Sequence, residues 1–149
     1  MREASPRFAR DLRSAFSEAG WPAILIPEEK GGLGLDLTYA VSIFGEIGRH
    51  PVPEPLLASA GQVPAILSAL PDGDLRDALL HCVASGDLIL DMAWQEPGQA
   101  DGETGIPQTS AGSDGDSIVL TGTKVWVAPG NGADGWIVTA TTGQYLGNV

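Results

Sequence analysis

Ala84-Ser85-Gly86-Asp87, followed by Leu88-Ile89-Leu90-Asp91-Met92-Ala93-Trp94, is where the spacing of apolar residues changes. Before Gly86 apolar residues recur every three or four positions, the period of a helix packed on one face. After Asp87, Leu88, Leu90, Met92 and Trp94 alternate with Ile89, Asp91 and Ala93, the period of a strand. The change divides the chain into a helical part, residues 1–86, and a β part, residues 87–149.

Upstream, Phe8, Leu12, Ala15, Phe16 and Ala19 predict a first helix that Gly20 stops. Pro22 and Pro27 bracket a short extended stretch, Ala23-Ile24-Leu25-Ile26, and a loop runs from Glu28 to Gly34. Asp36 is placed to cap a second helix with Leu37, Ala40, Val41, Phe44 and Ile47 on one face. A third helix is expected from Pro53 or Pro55, kinked at Pro64, and a fourth from a cap at Asp72 or Asp74. Short amphipathic helices joined by short loops make a small bundle.

Downstream, Gln95 to Gly105 reads as a loop. A hairpin is expected from Ile106–Ala111 and Ser117–Thr121 across Ser113-Asp114-Gly115-Asp116. Lys124–Ala128 and Trp136–Thr141 read as further strands. The fold class is therefore α+β, a small N-terminal helical bundle followed by an incomplete antiparallel β-barrel or sheet. A sheet that breaks off leaves an unpaired edge, which whole proteins usually cover, so the chain reads as a fragment.

Composition narrows the function. The 149 residues carry 19 acidic and 8 basic side chains, a formal net charge of −11. Such a field repels nucleic acid, and it forces any site for a polyanion such as coenzyme A to rely on local groups. Cys82 is the sole cysteine, so no internal disulfide exists. No apolar run approaches the ~18 residues of a membrane span, and the N-terminus lacks a signal-peptide core. A cytoplasmic protein is expected.

Candidate chemistry is sparse. Gly130-Asn131-Gly132-Ala133-Asp134-Gly135 fits G-x-G-x-x-G, but the following Trp136-Ile137-Val138-Thr139-Ala140 reads as a strand. A dinucleotide fingerprint needs a helix there, so a strand connection is the better reading. Gly31-Gly32-Leu33-Gly34 reads as a packing turn. His50, His81 and Cys82 lack metal-ligand spacing, and no nucleophile elbow is present. Trp94 and Trp126 stand on predicted strands beside loops, where flat side chains can wall a planar ligand or simply fill a core.

A collinear series of short stretches gives these residues context. It comprises Glu18-Ala19-Gly20-Trp21, Pro27 to Leu35, Pro53-Glu54-Pro55-Leu56-Leu57-Ala58, Ala84 to Asp87, Gln95-Glu96-Pro97-Gly98, Leu120 to Val127 and Gly132-Ala133-Asp134. In this succession the chain resembles the acyl-CoA dehydrogenase family over nearly its whole length. The resemblance implies a helical domain, a middle β-barrel and a C-terminal four-helix bundle, with FAD between barrel and bundle. It implies an oxidoreductase of fatty-acyl metabolism: a glutamate base removes the α proton of an acyl-CoA thioester while the β hydrogen leaves as hydride to flavin N5. An oligomer is implied for the full-length parent.

Carried over by position, Met92, Trp94 and Gln95 are implied on the strand beside the flavin, and Trp126, Val127 and Ala128 on a second one. Gly98, Gln99 and Ala100 are implied near the acyl-CoA entrance. Gln95 and Ala128 depart from the family's hydroxyl residues, and Gln99-Ala100-Asp101 is a shortened form of its Gly-Ser-Asp. Each change moves or removes a donor, at a cost of about 1 kcal/mol. The bundle and its catalytic glutamate lie outside this chain, and Glu96 does not correspond to that base. No catalytic residue or metal site is assigned, and the isolated chain is expected to be inactive. The alternative is a non-catalytic dehydrogenase-like subunit or interaction module.

Overall fold

The computed structural model describes residues 6–50, 56–99, 105–127 and 133–143, with side chains from residue 12 onward. Helix α1 (Pro6–Glu18) leads into a 3₁₀ turn at Trp21–Ala23, and a second 3₁₀ turn covers Glu28–Lys30. Helix α2 (Leu37–Arg49), a π-helical turn (Leu57–Gln62), α3 (Val63–Ala69) and α4 (Asp74–Ala84) complete the helical part. Strands β1 (Leu90–Ala93), β2 (Ser110–Asp114), β3 (Ser117–Thr121), β4 (Gly135–Val138) and β5 (Thr141–Thr142) follow.

The α+β class holds. The sheets differ from the expected antiparallel arrangement: β1 pairs parallel with β4, β2 antiparallel with β3, and β2 parallel with β5. They form a two-stranded sheet and a three-stranded sheet, β3-β2-β5, and no closed barrel among the described residues. The parallel pairs join strands far apart in sequence, as parallel ladders require.

Local chemistry explains where sequence and structure part. Ala23–Ile26 is not extended: Pro22 sits in the first turn of a 3₁₀ helix, with Ala23 N–H donating to the Gly20 carbonyl. The carbonyls of Ala23, Ile24 and Ile26 then accept from Leu33, Leu35 and Gly34. That lays the glycine-rich loop against this segment so closely that a Cβ on Gly32 would stand 1.9 Å from the Ile26 carbonyl oxygen. The expected packing turn is thus present. The kink at Pro64 takes the form of the π turn ahead of it. Proline lacks the N–H that an α-helix needs, and Val63 N–H reaches the Ala58 carbonyl. The expected start of this helix, Pro53 or Pro55, lies outside the described residues.

Asp36 caps α2, its Oδ1 accepting from Thr38 N–H at 2.8 Å. Neither Asp72 nor Asp74 caps α4: the cap position is Gly73, Asp74 is the first helical residue, and Asp72 pairs with Arg76. Arg76 also donates to the Leu70 carbonyl and to Asp77, and Lys30 reaches Asp77 at 2.5 Å. Lys30 first, and Arg76 second, hold the Asp77 carboxyl below its usual range.

The core joins both parts. Ala23, Ile26, Val63, Leu67, Leu80, Val83, Ala84 and Leu90 are buried together, with Met92 and Ile137 packed against them. Gly86 (φ 76°) makes the passage from α4 to β1, because any Cβ there would meet Ser17 Oγ at 1.9 Å. Asp134 then fixes the entry to β1, its backbone N–H donating to the Ile89 carbonyl and its Oδ2 accepting from Ile89 N–H. The two outer surfaces are less covered than the periodicity suggested. On α2 only Ala40 is buried, while Leu37 and Val41 are exposed. Every residue of β3 is exposed.

Candidate functional site

The segment Trp94–Gln99 leaves the end of β1 and forms a strap between two clefts. Trp94 lies just past the strand, which ends at Ala93. Within the strap, Glu96 N–H donates to Gln99 Oε1 at 2.8 Å and Gln99 N–H to the Glu96 carbonyl at 3.3 Å. The Glu96 side chain turns inward and is buried. Its Oε2 accepts from Gln108 N–H at 2.6 Å, and its Oε1 from Thr109 N–H at 2.8 Å and Thr109 Oγ1 at 2.6 Å.

Lys124 completes the cluster. Its ammonium donates to Glu96 Oε1 at 2.7 Å, to Thr139 Oγ1 at 3.0 Å and to the Trp94 carbonyl at 3.3 Å. Lys124 and Glu96 are 9% and 1% exposed, so this ion pair is screened little by water. Lys124, then Thr109, hold the Glu96 carboxyl down at about 2 against the opposing effect of burial. Glu96 is a fixed anion, unsuited to exchanging protons near neutral pH.

The segment after Lys124 is not a regular strand. Val125 N–H donates to the Gln95 carbonyl at 3.0 Å, but no ladder continues, because Trp126 turns with φ 57°. Among the described residues it is the one non-glycine with positive φ, and its indole is 84% exposed.

The implied ligand-contacting residues divide between the clefts. Gln95, Gly98, Gln99 and Trp126 line one, of about 420 Å³. Met92, Trp94 and Gln99 line the other, of about 450 Å³, together with Gln62 and Ile66 from the helical part. Gln99 is common to both. Val127 lines neither, and Ala100 and Ala128 lie outside the described residues. No carboxylate except Glu96 lines either cleft among the described residues.

Lys124, Thr139, Gln62 and Ile66 were missed by sequence reasoning as site residues. Lys124 offered a signal, a single cation beside a tryptophan in a β segment. Gln62 and Ile66 offered none, since their place depends on how the helical part packs on β1. The glycine-rich match at Gly130–Gly135 is followed by β4, a strand, as the sequence reading required.

The family described as acyl-CoA dehydrogenase, N-terminal domain, matches residues 1–87, more than half of the chain. The chain belongs to the acyl-CoA dehydrogenase family. It is 35% identical over 138 residues to the human mitochondrial short-chain specific acyl-CoA dehydrogenase, covering 87% of this chain and 32% of that protein. Among solved structures it is similar to the ChsE4-ChsE5 complex from Mycobacterium tuberculosis, with 28% identity, a TM-score of 0.78 and coverage of 95% and 37%. The Tcur3481-Tcur3483 steroid ACAD gives 26% identity, a TM-score of 0.77 and coverage of 95% and 36%. The chain thus spans about a third of the length of the curated relatives it matches.

Proposed function

We propose that this chain forms the helical wall and first strands of the flavin and acyl-thioester site of an FAD-dependent acyl-CoA dehydrogenase. The supporting observation is the Trp94–Gln99 strap, which sets one cleft under an exposed indole and another against Met92 and Trp94. A planar three-ring cofactor suits such walls: flat apolar faces for stacking, with the Gln95 and Gln99 carboxamides as polar edges. Trp126 and Gln95 would hold the ring system on one side, with Trp94 and Met92 near its other contacts. When bound, the flavin supplies the hydride acceptor for α,β-dehydrogenation of a thioester.

The residues of this chain bind and orient; they do not supply the base. Glu96 is held ionised by the groups that donate to it. The isolated chain is therefore inactive in this reading. The division at residues 86 and 87, a cytoplasmic location and an oligomeric parent belong to the same proposal. The relative solved as a complex of two named components supports the last.

The test is a titration of the chain with FAD, followed by quenching of tryptophan fluorescence. Saturable quenching that is lost in Trp126→Ala, with unchanged circular dichroism, is the expected result. No saturable quenching, or equal quenching in both proteins, overturns the site assignment. Bleaching of the flavin by an acyl-CoA in the isolated chain overturns the statement that it lacks the base.

A further inference from the structure

Trp126 poses a physical problem. A bulky residue at φ 57° is a conformational outlier. Such strain persists only where the surroundings over-determine the backbone, and it collects at sites that present a group to a ligand. Burial does not explain it here, because the indole is 84% exposed. The two residues just before Trp126, by contrast, are both tied. Val125 N–H is fixed to the Gln95 carbonyl at 3.0 Å. Lys124 Nζ is fixed to Glu96, Thr139 and the Trp94 carbonyl. Glu96 is in turn anchored to the root of the hairpin through Gln108 and Thr109. The chain thus reaches Trp126 from a segment held by one backbone bond and one buried ammonium, and the left-handed turn places Trp126 on the wall of the cleft with Gln95 and Gly98.

We infer that the buried Glu96–Lys124 pair is a positioning device: it holds the Lys124–Trp126 segment on the strap and forces Trp126 to offer its ring to a planar aromatic ligand. Lys124 and Glu96 are positioning residues that act through Trp126, although Glu96 also borders the same cleft. The ligand class rests on the flavin-site reading above, whereas the mechanical coupling rests on geometry alone.

The two are separated by comparing glycine with alanine at position 126. At a left-handed position glycine is the more stable, because it has no Cβ to strain; at a relaxed position alanine is, because glycine loses more chain entropy. With the pair intact, Trp126→Gly is expected to melt higher than Trp126→Ala. In a Lys124→Met background the order is expected to invert. If Lys124→Met does not fold, Glu96→Gln serves, since its amide keeps the shape and an acceptor while removing the charge. The same order of stability in both backgrounds overturns the coupling.

FAD titration is the second reading. Lys124→Met, which retains Trp126, is expected to bind FAD about tenfold more weakly, the loss of one aromatic contact. Unchanged FAD binding in that variant overturns the positioning role. If the unmodified chain binds no FAD but the stability order still inverts, the positioning role stands and the flavin reading falls.

Discussion

Helix α4 and strand β3 show two ways of holding a chain. Leu80 and Val83 of α4 are each 1% exposed, within a core that includes Val63, Leu67 and Leu90. Strand β3 has all its residues exposed, including Ile118 at 74%. Yet the hairpin it belongs to is anchored, because Thr109, beside the start of β2, bonds to buried Glu96. The helical part is held by apolar burial, which is non-directional and tolerant of detail. In the β part, strand β1 shares that core through Leu90, whereas the Trp94–Gln99 strap and the root of the hairpin are tied by a few charge-assisted hydrogen bonds, which are directional and depend on ionisation.

The largest expected effect exploits that difference through pH. Glu96 has a folded-state pKa lowered from 4.5 to about 2. A lowered pKa contributes stability that is fully present above the unfolded value and is lost as pH falls through the folded one. The strap and hairpin root are therefore expected to loosen between about 4.5 and about 2. Near-ultraviolet circular dichroism from the tryptophans should decay over that window, ahead of the helical far-ultraviolet signal. Glu96→Gln should remove this transition from the profile. Simultaneous loss of both signals in both proteins would erase the distinction between the two regions.

The apolar region is probed by Leu80→Ala. Removing a fully buried leucine costs about 2–5 kcal/mol, spread according to how far the cavity collapses. Denaturant unfolding should show a loss in that range, with the helical signal leading. A loss under about 1 kcal/mol would mean that this core is not what holds the helices.

Gly86→Ala addresses the junction between the regions. The new methyl meets Ser17 Oγ at 1.9 Å in a backbone with φ 76°, so both sterics and strain oppose it. Left-handed strain at a non-glycine residue costs about 1–3 kcal/mol. The double change Gly86→Ala with Ser17→Gly relieves the clash but not the strain, and should recover part of the loss. Full recovery would assign the whole cost to Ser17.

The helical region was the more legible in sequence, and the reason is physical. The Asp36 cap, the break at Pro64 and the period change at Asp87 are local signals, written within a few residues of where they act. The extended Ala23–Ile26 failed because two prolines permit a 3₁₀ turn as readily as a strand. The strand expected at Lys124–Ala128 is not formed over its described residues, 124–127, because a single left-handed residue, Trp126, interrupts any ladder, and propensity gives no warning of that. Parallel pairing of Leu90 with Gly135 was invisible, because register between distant segments is set by tertiary packing. The implied ligand contacts came from the resemblance alone; the structure distributes the described ones over two clefts, a separation that no spacing in the sequence encodes.

The smallest expected effect is at Ile118. Threonine keeps the β-branch that suits a strand, and an isoleucine already 74% exposed has little burial to lose. Ile118→Thr should change the stability of this chain by no more than about 0.5 kcal/mol. The same substitution in a polypeptide whose further residues cover the hairpin should cost more, since a buried methyl group is worth about 0.8 kcal/mol. The contrast between those measurements separates two accounts of the exposed strand. If both are small, β3 faces solvent by design, and the hairpin is secured by the Glu96 cluster at its root and by the pairing of β2 with β5. If the second is large, the exposed apolar residues are half of an interface, and the two regions differ only in which layer completes their burial.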